Sequence, residues 1–119
     1  MNSEELKNRT KKFALDVIRV VETFPKTKSA DTIGRQLIKA ATSIGANYRS
    51  ACRARSRADF ISKIGIVEEE ADESLYWLEL ATESNLINRA NIANLIKEAD
   101  ELISIFTASR KTAVRRKKK

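Results

Sequence analysis

The run Asn91–Phe106 limits most sharply what this chain can fold into. Ile92, Leu95, Ile96, Ala99, Leu102, Ile103 and Phe106 recur every three or four residues, the period of one face of an α-helix. The same spacing returns three more times. Leu6, Phe13, Val17, Val20, Val21 and Phe24 mark a first helix over 4–24. Ile33, Leu37, Ala40, Ile44, Tyr48 and Ala51 mark a second, and Phe60, Ile64, Val67, Ala71, Leu75 and Leu78 a third. Three Gly and one Pro in 119 residues leave few places to break such helices, and the abundant Ala, Leu, Ile, Glu, Lys and Arg favour them. Strand signals of useful length and internal repeats are both lacking. The expected fold is all-α, an antiparallel up-down-up-down four-helix bundle over residues 1–109.

The breaks between stripes carry their own signals. Pro25 ends the first helix, because it disfavours helical dihedrals at Phe24 and cannot donate to the preceding turn. Ser29 is the expected N-cap of the second helix, with Asp31 in the first turn where the dipole favours an anion. Ser56 followed by Asp59 has capping-box spacing, which starts the third helix near Arg57. Asn85 is the expected stop, and Asn88 or Asn91 caps the last helix. Gly34, Ile38, Ala41 and Gly45 form a row of mostly small residues on the second helix. Glycine there costs about 0.5–1 kcal/mol relative to alanine, so the row predicts a helix packed unusually close. On the third helix, Ile61, Ile66, Tyr76, Trp77 and Leu80 lie partly off the main stripe. They fit either an intersubunit face or the edge of an ordinary core.

Function classes narrow by absence. Without histidine the chain lacks the commonest general base and the commonest metal ligand, so no enzymatic activity, metal or cofactor is expected. No apolar run approaches the roughly 18 residues of a membrane span, so neither a signal peptide nor a transmembrane segment is expected. The single Cys excludes an internal disulfide and fits a reducing cytoplasm. That residue, Cys52, has no activating base and reads as a packing or surface residue. Glu69 and Glu73 share a face at i, i+4 and suggest a weak hard-cation site, but a solvated or ion-paired face accounts for them better.

Charge is the strongest remaining feature. The formal net charge is +7, and Arg110, Lys111, Arg115, Arg116, Lys117, Lys118 and Lys119 carry seven bases with no acid among them. Removing those seven from the 23 Lys and Arg leaves 16 bases against 16 acids in residues 1–109. Residues 110–119 are therefore expected to be a basic tail, solvated and disordered beyond Ala113, where apolar periodicity ends. A second basic cluster lies at the corner between helices two and three, in Arg49, Arg53, Arg55, Arg57 and Lys63. Guanidinium groups suit bidentate contact with phosphate, so corner and tail together are the candidate nucleic-acid-binding residues. The competing reading pairs these arginines with the run Glu68, Glu69, Glu70, Asp72, Glu73, Glu79 and Glu83, in the same chain or a neighbouring subunit. Asn47, close to the inward stripe of helix two, is the expected structural polar pin against helix three or a neighbouring subunit.

Several of these stretches are similar to a known family. Ser43-Ile44-Gly45-Ala46-Asn47, then Arg53-Ala54-Arg55-Ser56-Arg57-Ala58-Asp59-Phe60 and Glu69/Glu70 to Leu80, resemble the bacterial four-helix bundle proteins, or 23S rRNA intervening-sequence (S23-type) proteins. Phe24-Pro25-Lys26 and Arg35-Gln36-Leu37 fit that pattern too, and the resemblance spans about residues 4–107. Where the family typically reads Asn-Ile-Ala-Glu-Gly, this chain has Asn47-Tyr48-Arg49-Ser50-Ala51. No role of that glutamate carries over, and Arg49 points to a more cationic variant. The resemblance implies a homopentameric ring with no assigned enzymatic activity. A related branch, the accessory variability proteins of diversity-generating retroelements, forms basic pentameric barrels that bind nucleic acid and associate with a reverse transcriptase. RNA or DNA, copies of itself and, in that branch, a reverse transcriptase are the implied partners, with no membrane involved.

Overall fold

The computed structural model describes residues 1–117 as four helices: α1 (Ser3–Val21), α2 (Lys28–Cys52), α3 (Arg57–Glu83) and α4 (Arg89–Lys117). Among the described residues there is no strand, and the all-helical expectation holds. α2 packs against α1 and α3, α3 packs against α4, and α1 touches α4 more lightly. The result is a rod of 51 × 21 × 21 Å. Its core is built from the predicted stripes: all six stripe residues of α2 are buried, as are Phe13 and Val17 of α1, Ile64 and Val67 of α3, and Leu102 and Phe106 of α4.

Side chains set the helix ends. Asn2 opens α1, its Oδ1 accepting from the Glu5 N–H at 2.8 Å. α1 stops at Val21 rather than at Phe24; Thr23 and Phe24 close a turn through N–H bonds to Val20 and Val21 carbonyls, both at 3.0 Å, before Pro25. The cap of α2 is Thr27, not Ser29. Thr27 holds the extended backbone a cap requires and its Oγ1 accepts from the Ala30 N–H at 3.2 Å, whereas Ser29 already lies inside the first turn. Ser56 caps α3 as expected, its Oγ accepting from the Asp59 N–H at 3.0 Å. Asn85 stops α3 with a φ of 63°, and the Leu86 N–H reaches the Ala81 carbonyl at 2.9 Å while the Asn85 N–H reaches Thr82 at 3.1 Å. That pair of bonds is a Schellman ending. Asn88, rather than Asn91, caps α4 through the Ala90 N–H at 2.9 Å.

The small row of α2 faces α1. A Cβ at Gly34 would lie 2.9 Å from Val21 Cγ1, and one at Gly45 would lie 3.2 Å from Thr10 Oγ1. Hence the end of α1 meets the start of α2, and the start of α1 meets the end of α2. Thr10 is fully buried at this seam and donates its hydroxyl to the Leu6 carbonyl at 2.9 Å.

Residues 110–117, expected to belong to the basic tail, are helical: α4 runs unbroken through residues 109–110 to Lys117. Ala113 is buried seven residues after Phe106, so the apolar stripe reaches into the basic segment, and Arg110 is tied to α3. Arg and Lys are good helix formers and carry the last turn.

Candidate nucleic-acid interface

The turn Arg53–Ser56 brings the end of α2 against the start of α3. Arg49 sits in the last turn of α2, Arg53 is its C-cap, Arg55 lies in the turn and Arg57 opens α3; all four are exposed. Asp59 is the only acid between Arg49 and Lys63, and it is already occupied. Its Oδ2 accepts from the Arg55 backbone N–H at 3.2 Å and from Lys63 Nζ at 3.2 Å. Those partners, the Arg55 amide foremost, hold the Asp59 carboxyl below its usual range. The corner thus engages its one carboxylate with the Arg55 amide and Lys63 and leaves its guanidinium groups exposed.

The end of α4 arrives at the same place. Arg57 and Phe60 of α3 line one shallow groove with Leu6 of α1 and Ile105, Ala113 and Arg116 of α4. Two basic clusters separated by half the sequence therefore meet at one end of the rod. Lys111, Arg115 and Arg116 are exposed there. The side chain of Lys117, and all of Lys118 and Lys119, lie outside the described residues.

Other basic residues are used differently. Arg110 belongs to the candidate set by sequence, yet its Nε lies 2.6 Å from Glu68 Oε1, which removes it from the free cations. Arg110 foremost, with the Thr107 hydroxyl, holds the Glu68 carboxyl below its usual range. Lys63 is likewise engaged, by Asp59. Arg9 was not singled out by sequence, but it clasps α4 with Nε 2.6 Å from Glu98 Oε2 and Nη2 2.7 Å from Glu98 Oε1. A further contact reaches Glu101 at 3.2 Å.

The pairing of corner and acidic run within one chain does not form. Among the described residues, no ion pair joins Arg49, Arg53, Arg55 or Arg57 to a carboxylate. Glu69 and Glu73 are exposed on α3. Glu70 lies at the α2 seam, where burial chiefly raises its pKa, with help from Glu73 and opposition from the Ser43 hydroxyl. Within the chain, Asn47 donates its Nδ2 to the Ser43 carbonyl of its own helix at 2.8 Å. An amide at that depth can satisfy itself one turn back. Cys52 is exposed, and its neighbour Tyr48 is buried against Phe106 with ring centroids 5.4 Å apart. No helix among the described residues is long and apolar enough to cross a membrane.

Comparison with known proteins agrees with this architecture. No curated protein matches the chain. A solved structure from Bacteroides thetaiotaomicron, described as a protein of unknown function from the S23 ribosomal protein family, superposes with a TM-score of 0.84 at 31% identity. The match covers 93% of this chain and 99% of that one. The profile of the 23S rRNA-intervening sequence proteins matches residues 3–108, so it takes in the Arg49–Lys63 corner and most of α4. This chain belongs to the 23S rRNA-intervening sequence protein family.

Proposed function

We propose that the chain is a non-enzymatic, antiparallel up-down-up-down bundle that assembles as a homopentameric ring in the cytoplasm. In this reading it binds RNA or DNA through backbone phosphates and needs no metal or cofactor. One observation carries the nucleic-acid reading: exposed arginines of the corner and of the α4 end gather at one end of the rod, with no carboxylate partner among the described residues. Free guanidinium groups offer fork-shaped donors to phosphate and release counterions on contact. Lys118 and Lys119 extend the same chain end. Repetition around a ring would turn weak contacts into avidity. Support for assembly comes from α3, where Ile66 and Tyr76 are 41% and 56% exposed, large apolar groups that an interface would cover.

Fluorescence anisotropy with labelled duplex DNA and structured RNA tests the reading. Binding should be measurable at low salt for both, and log affinity should fall linearly with log salt. Absence of binding at low ionic strength rejects it. Sedimentation velocity should give a single pentameric species, and a monomer at micromolar concentration rejects the ring. A protein scaffold, such as a reverse-transcriptase accessory subunit, is the second reading, favoured by the same exposed Ile66 and Tyr76. A stable ring without nucleic-acid binding would select it.

A further inference from the structure

We infer that the phosphate path leaves the corner and continues up a recess between α1 and α2, where Lys7, Lys11 and Arg49 hold a single-stranded phosphodiester backbone. This inference rests on the nucleic-acid reading above and specifies a second part of the site. Lys7 and Lys11 lie outside both basic clusters of the sequence. In the fold they occupy one wall of a recess of about 210 Å³, with Arg49 on the other wall.

Close packing creates the recess. Gly45 lets α2 approach Thr10 of α1, so the floor is made of short side chains, with Ala14 and Ala46 beside them. Long cationic side chains on two converging helices can then reach the same chain of phosphates. Among the described residues, no carboxylate lines the recess. Lys7 Nζ lies 4.0 Å from Glu4, whose side chain is 75% exposed, a loose i, i+3 pair that costs little to break. Arg49 in the last turn of α2 and Arg53 at its C-cap, both exposed, connect the recess to the corner.

The lining also states what is not read. No aromatic side chain borders the recess, so bases have nothing to stack on, and contact falls on phosphates alone. The recess, about 210 Å³ over the closed α1–α2 seam, has room for the phosphates of one strand, whereas a duplex would meet only its rim. The expected ligand is therefore single-stranded RNA or DNA of any sequence.

The test compares K7Q/K11Q with a control of equal charge loss, K26Q/K97Q, whose lysines are exposed outside the recess. Probes are oligothymidine, oligoadenosine and a DNA duplex, and circular dichroism verifies the fold of each variant. K7Q/K11Q should lose affinity for both single strands at least fivefold and flatten the salt slope by about 1.4, at roughly 0.7 per lost contact on a single strand. The control and the duplex should change less than twofold. Equal losses in both variants would reduce the effect to net charge and overturn the inference, as would a loss confined to the duplex or to one base composition. If the wild type binds none of the probes, the nucleic-acid reading itself fails, and this inference with it.

Discussion

Arg9 and Arg110 differ from Arg49, Arg53, Arg55 and Arg57 in what surrounds them, not in chemistry. The first two reach across helix–helix seams to carboxylates that packing holds in place: Arg9 to Glu98 and Glu101, Arg110 to Glu68. Such half-buried, bidentate geometry lets an ion pair stabilise the fold. The other four sit around a turn whose single acid is engaged by Lys63 and by a backbone amide. One kind of residue therefore joins helices in one region and leaves its positive potential to solvent in the other. What decides is whether a neighbouring helix presents a carboxylate at the right level.

The comparison breaks if the corner arginines turn out to be structural. Replacing Arg49, Arg53, Arg55 and Arg57 together with Ala should lower nucleic-acid affinity at least tenfold at physiological salt, about 1.4 kcal/mol, in an anisotropy titration. Thermal stability should hold, because no ion pair among the described residues is removed. Arg9→Ala should do the reverse. It should cost about 1 kcal/mol of unfolding free energy in a urea titration and leave affinity within twofold.

Acidity sharpens the same contrast. The Glu68 carboxyl is held below its usual range by Arg110 first and Thr107 second. A carboxyl lowered on folding contributes stability above its ordinary pKa, and that stability is lost as pH falls through the lowered value. Glu68→Gln should therefore melt below wild type at neutral pH, with the gap closing as pH drops into the carboxylate range. Melting curves at stepped pH check this, and a gap independent of pH would deny the pair its role. The smallest effect is expected of Asp59→Asn. Removing the acid from the corner should raise nucleic-acid affinity slightly, less than threefold by loss of one screened repulsion, with a small drop in melting temperature from the weakened α3 start.

The fold was legible because periodicity and caps agree. Ser56, Asn85 and Asn88 each do what their positions imply, and the stripes of α2 and α4 fall on the core. The glycine row correctly announced a close helix, although only the fold identifies it as α1. What failed did so for local reasons. Charge density hid the helical character of residues 110–117, since Ala113 is one small residue among cations. Thr27 and Ser29 are chemically equal as caps, and only backbone geometry chose between them. At the site, the sequence identified the basic residues but could not tell which were already paired. The carboxylates of Glu98 and Glu68 are 89 and 42 residues from Arg9 and Arg110. The meeting of corner and α4 end was equally invisible, because it depends on the direction of four helices.

The most direct test is the salt dependence of duplex-DNA binding, measured side by side for the wild type, the four-arginine corner variant and Arg9→Ala. Free arginines that meet phosphates should flatten the slope of log affinity against log salt by about 0.9 per lost contact, in the corner variant alone. Parallel slopes for all three proteins, or a corner variant that unfolds while the slope persists, would contradict the account.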